Sequence, residues 1–488
     1  MAFFTRGRRS WSPVSAVILN LPPLTRSTFG AMLLLGVLPH QVKDYNALIR
    51  ALLQPYRTLG MIAGEGQTGF VVFNAHTQTN IAVFIEVVLG EEDSKGLPRV
   101  CGHHGSGYIG ACPYCMQEGF RCVGSQYYPG ALAYVTDPAI LQMCRKHLSL
   151  GKDEVKVPPL EKNPTPEQTY QRNVDLYRNQ MVRLCNGVKP KPHTLRTLRA
   201  SLRSLSNRSK LPSQVPFHHP CVYTEFWPDF DPVKQCIAGV AHGICNFVED
   251  AADLVMNKTQ MRMSTERTTW EHAVGRDPGS SIILHASTAR LGIINELLRT
   301  LKVCRGWPSL PHDMAELSTL KMELTLDWAG AVGQYFFALL DVSPIVRDNL
   351  VKVLRALSGY QQKLPQQNLK DLHALLVTGL GTLEFIAPSH WATGTKHLLV
   401  HILDCLTEYG SFWVLNELKF ETYGGMLKKL AKTGTKNRLF TLALNVLSLQ
   451  KSDTALYVRA RDPKYAGKDM ELRVFILLYI CAPVTHVP

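Results

Sequence analysis

The stretch Ile81-Ala-Val-Phe-Ile-Glu-Val-Val-Leu89 is the strongest strand signal in the chain and decides how the surrounding sequence is interpreted. β-Branched and large apolar residues fill it, which favours a buried strand. Gly90 ends the run, and Asp93 follows at what would be the carboxyl edge of the strand. Open α/β sheets place their functional groups at that edge. The sequence therefore predicts a strand that delivers an acidic side chain to a site.

A glycine-rich segment leads from Asp93 to Cys112-Pro-Tyr-Cys115, a C-x-x-C pair. Two thiolates at this spacing can hold zinc, but a structural zinc site takes four ligands and only two are spaced convincingly here. Zinc binding and plain burial of the thiols are therefore evenly weighted alternatives. The nearby donors that could complete a site are His103, His104 and Cys122.

A histidine pair lies far downstream, in His397-Leu-Leu-Val-His401. A spacing of four residues places His397 and His401 on one face of a predicted helix. The pair could bind a metal ion, but packing in the hydrophobic core is the favoured interpretation.

Three groups of residues belong together in one pattern. The first is Asp93 with Cys112 and Cys115, and the second is Asp231-Pro-Val-Lys234. The third is His397 and His401 before Phe420-Glu421-Thr-Tyr423-Gly-Gly425-Met-Leu-Lys428. Together they resemble the catalytic core of CACTA-type (En/Spm-like) DNA transposases and the helical region that follows it, over roughly residues 10–449. The stretch from Phe420 to Lys428 matches at every fixed position, whereas Lys234 stands where the family has histidine.

The resemblance implies an RNase H-like core and Mg²⁺-dependent cleavage and transfer of DNA strands. Three carboxylates would hold two Mg²⁺ ions about 4 Å apart. Asp93 would be the second of these acids and Glu421 the third. The first would lie before Trp11, yet no Asp or Glu precedes Asp44, so the chain is expected to be catalytically incomplete. The alternatives are a domesticated DNA-binding or interaction protein without catalysis and a decayed element.

Composition favours a large globular protein with a polyanionic partner. Hydrophobic residues make up 45% of the chain and its formal net charge is +14. Seven basic and no acidic residues lie between Asn186 and Leu211, and leucines recur there at helical spacing. Such a helix can contact DNA phosphates, although a solvated basic face is an equal alternative. The candidate contacts are Arg196, Arg199, Arg203, Arg208 and Lys210.

The predicted fold class is α/β plus α, with an incomplete RNase H-like core and a large, mainly helical insertion. The predicted units are a partial core over 10–150, a basic, proline-punctuated linker and helix over 151–216, a helical region over 217–450 and an unassigned tail over 451–488. Leu24–Leu35 is predicted as a helix after Pro22-Pro23. The resemblance implies DNA, namely transposon ends, as the partner. Whether the chain also forms a homo-oligomer is left open. The expected location is the nucleus, with no membrane span.

Overall fold

The structure is a computed structural model that describes most of the chain. The described residues are 11–18, 32–39, 44–60, 62, 69–74, 78–92, 100–103, 112–122, 125–127, 130–147, 156–157, 165–207, 217–258, 282–301, 310–362, 366–387, 391–410, 412, 418–431 and 471–480.

The described strands form one mixed sheet and one short two-stranded ribbon. β5 and β6 make the ribbon, and the other strands make the sheet, in the order β2-β1-β8-β4-β3 with β7 also paired to β4. Their bounds are β1 Trp11–Ile18, β2 Met32–Pro39, β3 Phe70–Asn74, β4 Thr79–Glu92, β5 Phe120–Cys122, β6 Ser125–Tyr127, β7 Cys236–Ala238 and β8 Glu471–Ile480.

β8 lies at the centre of the sheet, between β1 and β4. It runs antiparallel to β1 and parallel to β4, pairing with β4 from Ala82 to Glu92. The hairpin of β1 and β2 and the hairpin of β3 and β4 are therefore joined through β8. No element was predicted in this part of the sequence, yet it supplies the central strand.

Helices make up most of the remaining described residues, so the chain is mostly helical with a small mixed sheet, in agreement with the expected combination of α/β and helical parts. Their bounds are α1 Tyr45–Thr58, α2 Pro138–His147, α3 Pro166–Cys185, α4 Leu195–Ser206, α5 Pro232–Gln235, α6 Val240–Val255, α7 Thr288–Thr300, α8 Met322–Ala331, α9 Gly333–Ala338, α10 Pro344–Tyr360, α11 Gln366–Ile386, α12 Gly394–Leu399, α13 Ile402–Tyr409 and α14 Leu418–Ala431.

The helix predicted over Leu24–Leu35 is wrong where the structure describes it. Met32–Pro39 is β2, which pairs antiparallel with β1. A short apolar run such as Met32-Leu-Leu-Leu35 fits a buried strand and a buried helix equally well, so its periodicity cannot separate them. The neighbouring strand β1 offers hydrogen bonds along its edge, and this tertiary pairing decides the outcome.

β4 confirms the strand predicted over Ile81–Leu89 and extends it to Glu92. The strand continues through Gly90. The lack of a side chain at Gly90 lets Tyr223 pack against the strand, since a Cβ there would lie 2.9 Å from the Tyr223 ring. The Trp227 indole N–H donates a 3.0 Å hydrogen bond to the Ile85 carbonyl. These contacts fix the sheet against residues 221–236 in a core of its own.

A large helical core surrounds α6, α10 and α11 and reaches the sheet. It contains Val17 of β1 and Ile237 of β7 together with buried residues of α12, α13 and α14. The sheet therefore packs against the helical region through these residues and against residues 221–236 through the separate, smaller core. None of the helices in the described ranges has the length and apolar character that a membrane crossing needs.

Candidate metal centre

The C-x-x-C pair lies in a buried turn held by backbone hydrogen bonds. Cys112 is 3% exposed and Cys115 is 2% exposed. The Met116 N–H donates to the Lys191 carbonyl at 2.7 Å, and the His193 N–H donates to the Tyr114 carbonyl at 2.8 Å. The turn is therefore paired with the segment that leads into α4, and both thiols point into the protein.

The histidine pair comes from the junction of two short helices. His397 belongs to α12, and His401 immediately precedes α13. The Val400 and His401 N–H groups donate to the carbonyls three residues back, so the backbone tightens at this junction. Both imidazoles are buried, at 1% and 5% exposure.

Four donor atoms from these two segments meet at one point. Cys112 Sγ lies 3.5 Å from His401 Nε2, and Cys115 Sγ lies 3.2 Å from His397 Nε2. The two Nε2 atoms are 3.4 Å apart, and all four donors lie within 4.8 Å of one another. The pairs are separated by up to 289 positions in the sequence. This buried Cys2His2 cluster could bind a metal ion such as zinc.

Three of the six separations among the donor atoms match those around a zinc ion, and the others are at most 4.8 Å. A tetrahedral zinc ion, with zinc–sulfur bonds of about 2.3 Å and zinc–nitrogen bonds of about 2.05 Å, spaces two nitrogens about 3.3 Å apart and a sulfur and a nitrogen about 3.6 Å apart. The observed separations, 3.4 Å between nitrogens and 3.2 and 3.5 Å between sulfur and nitrogen, match this within about 0.4 Å. Two thiolates and two imidazoles are also the donor set of many structural zinc sites.

Of the groups with a shifted pKa in the cluster, only Cys112 is shifted towards the form that binds a metal, whereas His401 and Cys115 tend to keep their protons. Burial opposes ionisation of Cys112, but the Cys115 thiol and the His401 and His397 charges outweigh it and bring its pKa well below the usual value. Burial also opposes the imidazolium form of His401, yet Cys112 and Asp404 raise its pKa to about 9. The hydrogen bond to Cys112 and burial raise the pKa of the Cys115 thiol. A bound cation would displace the remaining protons.

Further groups lie against the two histidines. Asp404 Oδ2 lies 3.9 Å from His401 Nδ1, on the side away from the thiols. This is an ion-pair contact, longer than the hydrogen bond by which a carboxylate fixes the tautomer of a metal-binding imidazole. Gly130 packs against the other ring, since a Cβ there would lie 2.6 Å from Cε1 and Nδ1 of His397. The buried Glu384 carboxylate accepts hydrogen bonds from the N–H groups of Gly130, Ala131 and Leu132.

Of the nearby donors considered from the sequence, His103 is described and does not belong to the cluster. The His103 ring is buried and packs edge-on against Phe217, with 5.5 Å between ring centroids. Cys122 lies in β5, and His104 lies outside the described residues. The other two donors are His397 and His401, for which core packing was the favoured interpretation. They are core residues and metal-ligand candidates at once, and neither Gly130 nor Glu384 carried a signal in the sequence.

Asp231 has a local structural role. It is the N-cap of α5, where its carboxylate accepts a 3.0 Å hydrogen bond from the Val233 N–H. Lys234 is exposed one turn later. Neither residue belongs to the Cys2His2 cluster. An acid at this position is explained by the free N–H groups of the first helical turn.

The residues expected to bind magnesium are placed only in part. β4 ends at Glu92, one position before Asp93, which lies outside the described residues. Glu421 is on α14, whose buried residues Phe420, Tyr423 and Leu427 share one helix face. Gly425 and Lys428 lie on the same helix. The described side chains give no support for a magnesium site, so magnesium binding stays a prediction.

The candidate DNA-contacting helix is present as α4, Leu195–Ser206. Arg196, Arg199 and Arg203 are exposed on it. Thr194 caps its first turn by accepting a hydrogen bond from the Thr197 N–H. Arg208 and Lys210 lie outside the described residues.

No family model matches the chain, and no curated protein is significantly similar to it in sequence.

Proposed function

We propose that this chain is a DNA-binding protein on the scaffold of a CACTA-type transposase, with a structural zinc ion at Cys112, Cys115, His397 and His401. One observation carries the proposal: the two metal-ligand halves, up to 289 positions apart in the sequence, converge in a single buried cluster. Both halves belong to the motif groups on which the transposase resemblance rests.

The zinc ion would have a structural role. A catalytic zinc keeps one coordination position for water or substrate, whereas a structural zinc is enclosed by four protein ligands. Here four protein donors are available and all four are buried. The ion would fasten the cysteine turn to the junction of α12 and α13.

The sheet supports the RNase H-like core that the resemblance implies. It is mixed, with the antiparallel hairpin of β1 and β2 on one side of β8 and strands parallel to β4 on both of its edges. β4 ends one position before Asp93, where an acid of such a core is expected.

Magnesium-dependent strand cleavage is the second candidate function, favoured by the position of Asp93 after β4 and of Glu421 on α14. The strand beside the end of β4 argues against it. Tyr479 and Ile480 of β8 pair with Glu91 and Glu92, so this neighbouring strand brings no carboxylate to the place where a further acid is needed. We therefore favour DNA binding without cleavage, in the nucleus, with transposon ends as the ancestral target. Size-exclusion chromatography would test whether the chain also forms a homo-oligomer.

Zinc content and DNA binding of the purified chain test the proposal together. We expect one zinc ion per chain by plasma mass spectrometry, lost in Cys115→Ser and in His397→Asn. Cys245→Ser and His312→Asn are matched controls, because both residues lie outside the cluster. The chain should also bind a labelled DNA duplex. Absence of zinc from the wild-type chain, full zinc content in both ligand variants, or failure to bind DNA would refute the proposal.

A further inference from the structure

We propose that metal occupancy of the Cys2His2 cluster controls how tightly α4 binds the phosphate backbone of a DNA duplex. This inference rests on the proposed function and adds the location of the DNA-binding surface and its regulation.

The cysteine turn and the start of α4 form one backbone unit. Three interactions join them: Met116 N–H donates to the Lys191 carbonyl at 2.7 Å, His193 N–H donates to the Tyr114 carbonyl at 2.8 Å, and Cys115 forms an antiparallel bridge with Pro192. α4 begins at Leu195, after its cap Thr194. Only the cap residue Thr194 therefore separates the paired segment 191–193 from the first residue of the helix, so a shift of the cysteine turn also shifts the start of α4.

The apolar face of α4 fixes the helix near the end of β4. Leu198 and Leu202 pack with Phe217 and Val233. Val233 is in α5, which leads directly into β7, and β7 pairs with Gly90–Glu92 of β4. α4 is thus held between the cysteine turn on one side and the carboxyl end of β4 on the other.

The solvent-exposed side of α4 presents a row of positive charge. Arg196, Arg199 and Arg203 are exposed, and within the described part of the chain none of them forms an ion pair with an acid. Seven residues of helix place the first and last arginine about 10 Å apart along the axis. A duplex carries about one charge per 1.7 Å of its axis when both strands are counted, so a length of about 10 Å holds about six phosphates, enough for each of the three arginines to contact one.

The composition of this face favours a nucleic acid over a membrane surface. α4 carries no acidic residue, and apart from Leu195, which is 37% exposed, its outward face has no exposed large apolar side chain to enter a lipid layer. Guanidinium groups bind phosphate oxygens in a bidentate manner, which suits a linear array of phosphates.

Metal binding would determine whether this row is rigid. With an ion bound, metal–ligand bonds fix Cys112 and Cys115 to His397 and His401. Without it, the polar contacts between the two pairs of ligands in the described part of the chain are the thiol–imidazole contacts of 3.2 and 3.5 Å. A looser turn loosens the start of α4, and DNA binding must then order the helix at a cost in entropy.

Salt dependence of binding identifies α4 as the surface. The probe is a labelled 30-base-pair duplex, measured by fluorescence anisotropy with the zinc-loaded full chain at 50 and 200 mM salt. The triple change Arg196→Gln, Arg199→Gln, Arg203→Gln should remove about three phosphate contacts. The factor by which affinity falls between 50 and 200 mM salt should then be about 40 times smaller than in the wild type. The control removes the same charge from exposed positions on α7, α10 and α11 and should behave as wild type: Arg299→Gln, Arg355→Gln, Lys370→Gln.

Metal removal and a backbone variant test the coupling. We expect chelation to weaken duplex binding by tenfold or more in the wild type and to change the triple variant by less than twofold. Met116→Pro lacks the N–H that bonds to Lys191 and should weaken binding similarly while zinc is retained; Met116→Ala keeps the N–H and should not. A chelated, folded chain with wild-type affinity, or a triple variant equal to its control, overturns the inference.

The remaining outcomes separate this inference from the function on which it rests. A chain that holds no zinc, or that binds no DNA, refutes the proposed function itself. A chain that holds zinc and binds DNA but is indifferent to the α4 changes refutes only the inference. A duplex RNA of the same sequence is the second probe: DNA binding at least as tight supports DNA as the source of the phosphates, and clear preference for RNA overturns that assignment.

Discussion

The substitution Gly130→Ala tests the metal centre without changing any of its ligands. Gly130 precedes a short 3₁₀ helix, Ala131–Tyr134, and its φ of −179° is extended backbone that alanine also adopts. A methyl group there would lie 2.6 Å from both Cε1 and Nδ1 of His397. The three atoms nearest to this methyl group all belong to the His397 ring, so the substitution acts first on that ring.

The expected size of the effect follows from this distance. Non-bonded carbon atoms rest about 3.5–4.0 Å apart, so the ring or the Gly130 backbone must move by about 1 Å. Metal–ligand distances tolerate only about 0.2 Å. We expect zinc affinity to fall about 10–100-fold, the range for changes in groups that orient a ligand, which is about 1.4–2.8 kcal/mol of binding free energy. Movement of the backbone instead would cost about 1–3 kcal/mol of stability as overpacking.

Competition with a chromophoric chelator measures the zinc affinity, and thermal melting with and without zinc measures its effect on stability. Gly292→Ala in α7 is the control, because nothing lies within 4 Å of the added methyl group. This control should keep wild-type zinc affinity and gain up to about 1 kcal/mol of helix stability. A Gly130→Ala chain that binds zinc within twofold of wild type and melts at the same temperature would show that His397 does not ligate the ion as argued.

Three further outcomes are expected. Burial raises the pKa of Glu384 to about 7, although hydrogen bonds from three backbone N–H groups oppose the shift. Because this pKa exceeds the unfolded value of about 4.5, the protonated carboxyl stabilises the folded state fully below pH 4.5. About 3 kcal/mol of the free energy of unfolding is then lost as the pH rises to 7. Denaturant titrations of Glu384→Gln should lack that decline, and parallel curves for both chains would contradict it. Leu477→Pro removes an N–H from the central strand, which pairs with Leu89 and Val17; urea midpoints should report a loss of at least about 1–3 kcal/mol, and an unchanged midpoint would argue against a central β8. Nicking of supercoiled DNA with Mg²⁺ should be no faster with wild type than with Asp93→Ala, and faster nicking would restore the catalytic alternative.

Local patterns in the sequence predicted the elements whose formation depends on neighbouring residues. The apolar run Ile81–Leu89 became β4, and the leucine spacing after Pro192 became α4. The capping box at Thr194 adds to that helix because its side chain and that of Thr197 satisfy two backbone N–H groups. These signals are carried within about a dozen residues, so no knowledge of the remaining fold was required.

Tertiary partners decided the elements that the sequence did not predict. Met32–Pro39 pairs with β1, and Glu471–Ile480 pairs with strands more than 380 positions earlier. Residues 313–339, part of the predicted helical region, form several short helices, the last two being α8 and α9, which meet at Val332. Gly333 there packs against the Trp328 ring, at a distance of 2.5 Å from the added Cβ position. An apolar pattern shows that these residues are buried but not which neighbour buries them.

The metal cluster was half predictable for the same reason. A C-x-x-C pair offers two ligands and lacks two, and an H-x-x-x-H pair offers two and lacks two. Each half alone fits ordinary burial, since Cys112, Cys115, His397 and His401 are all core residues as well. Two half-sites in one chain can together supply the four ligands of a zinc site. The sequence shows each half-site separately and does not show that the two meet in the fold.

The distance between these halves explains what the chain would gain from a bound ion. Cys115 and His397 are 282 positions apart, and the intervening chain carries most of the described helices. In a chain-entropy treatment, a cross-link closing a loop of that length stabilises the folded state by at most about 5–6 kcal/mol, which is comparable to the whole stability of many domains. Doubling a loop adds only about 0.6 kcal/mol, so the benefit comes from closing any long loop and not from its exact length. Segments between the two halves can therefore change in length with little thermodynamic cost, whereas loss of one ligand would release both halves together and, through the paired segment 191–193, the basic helix as well.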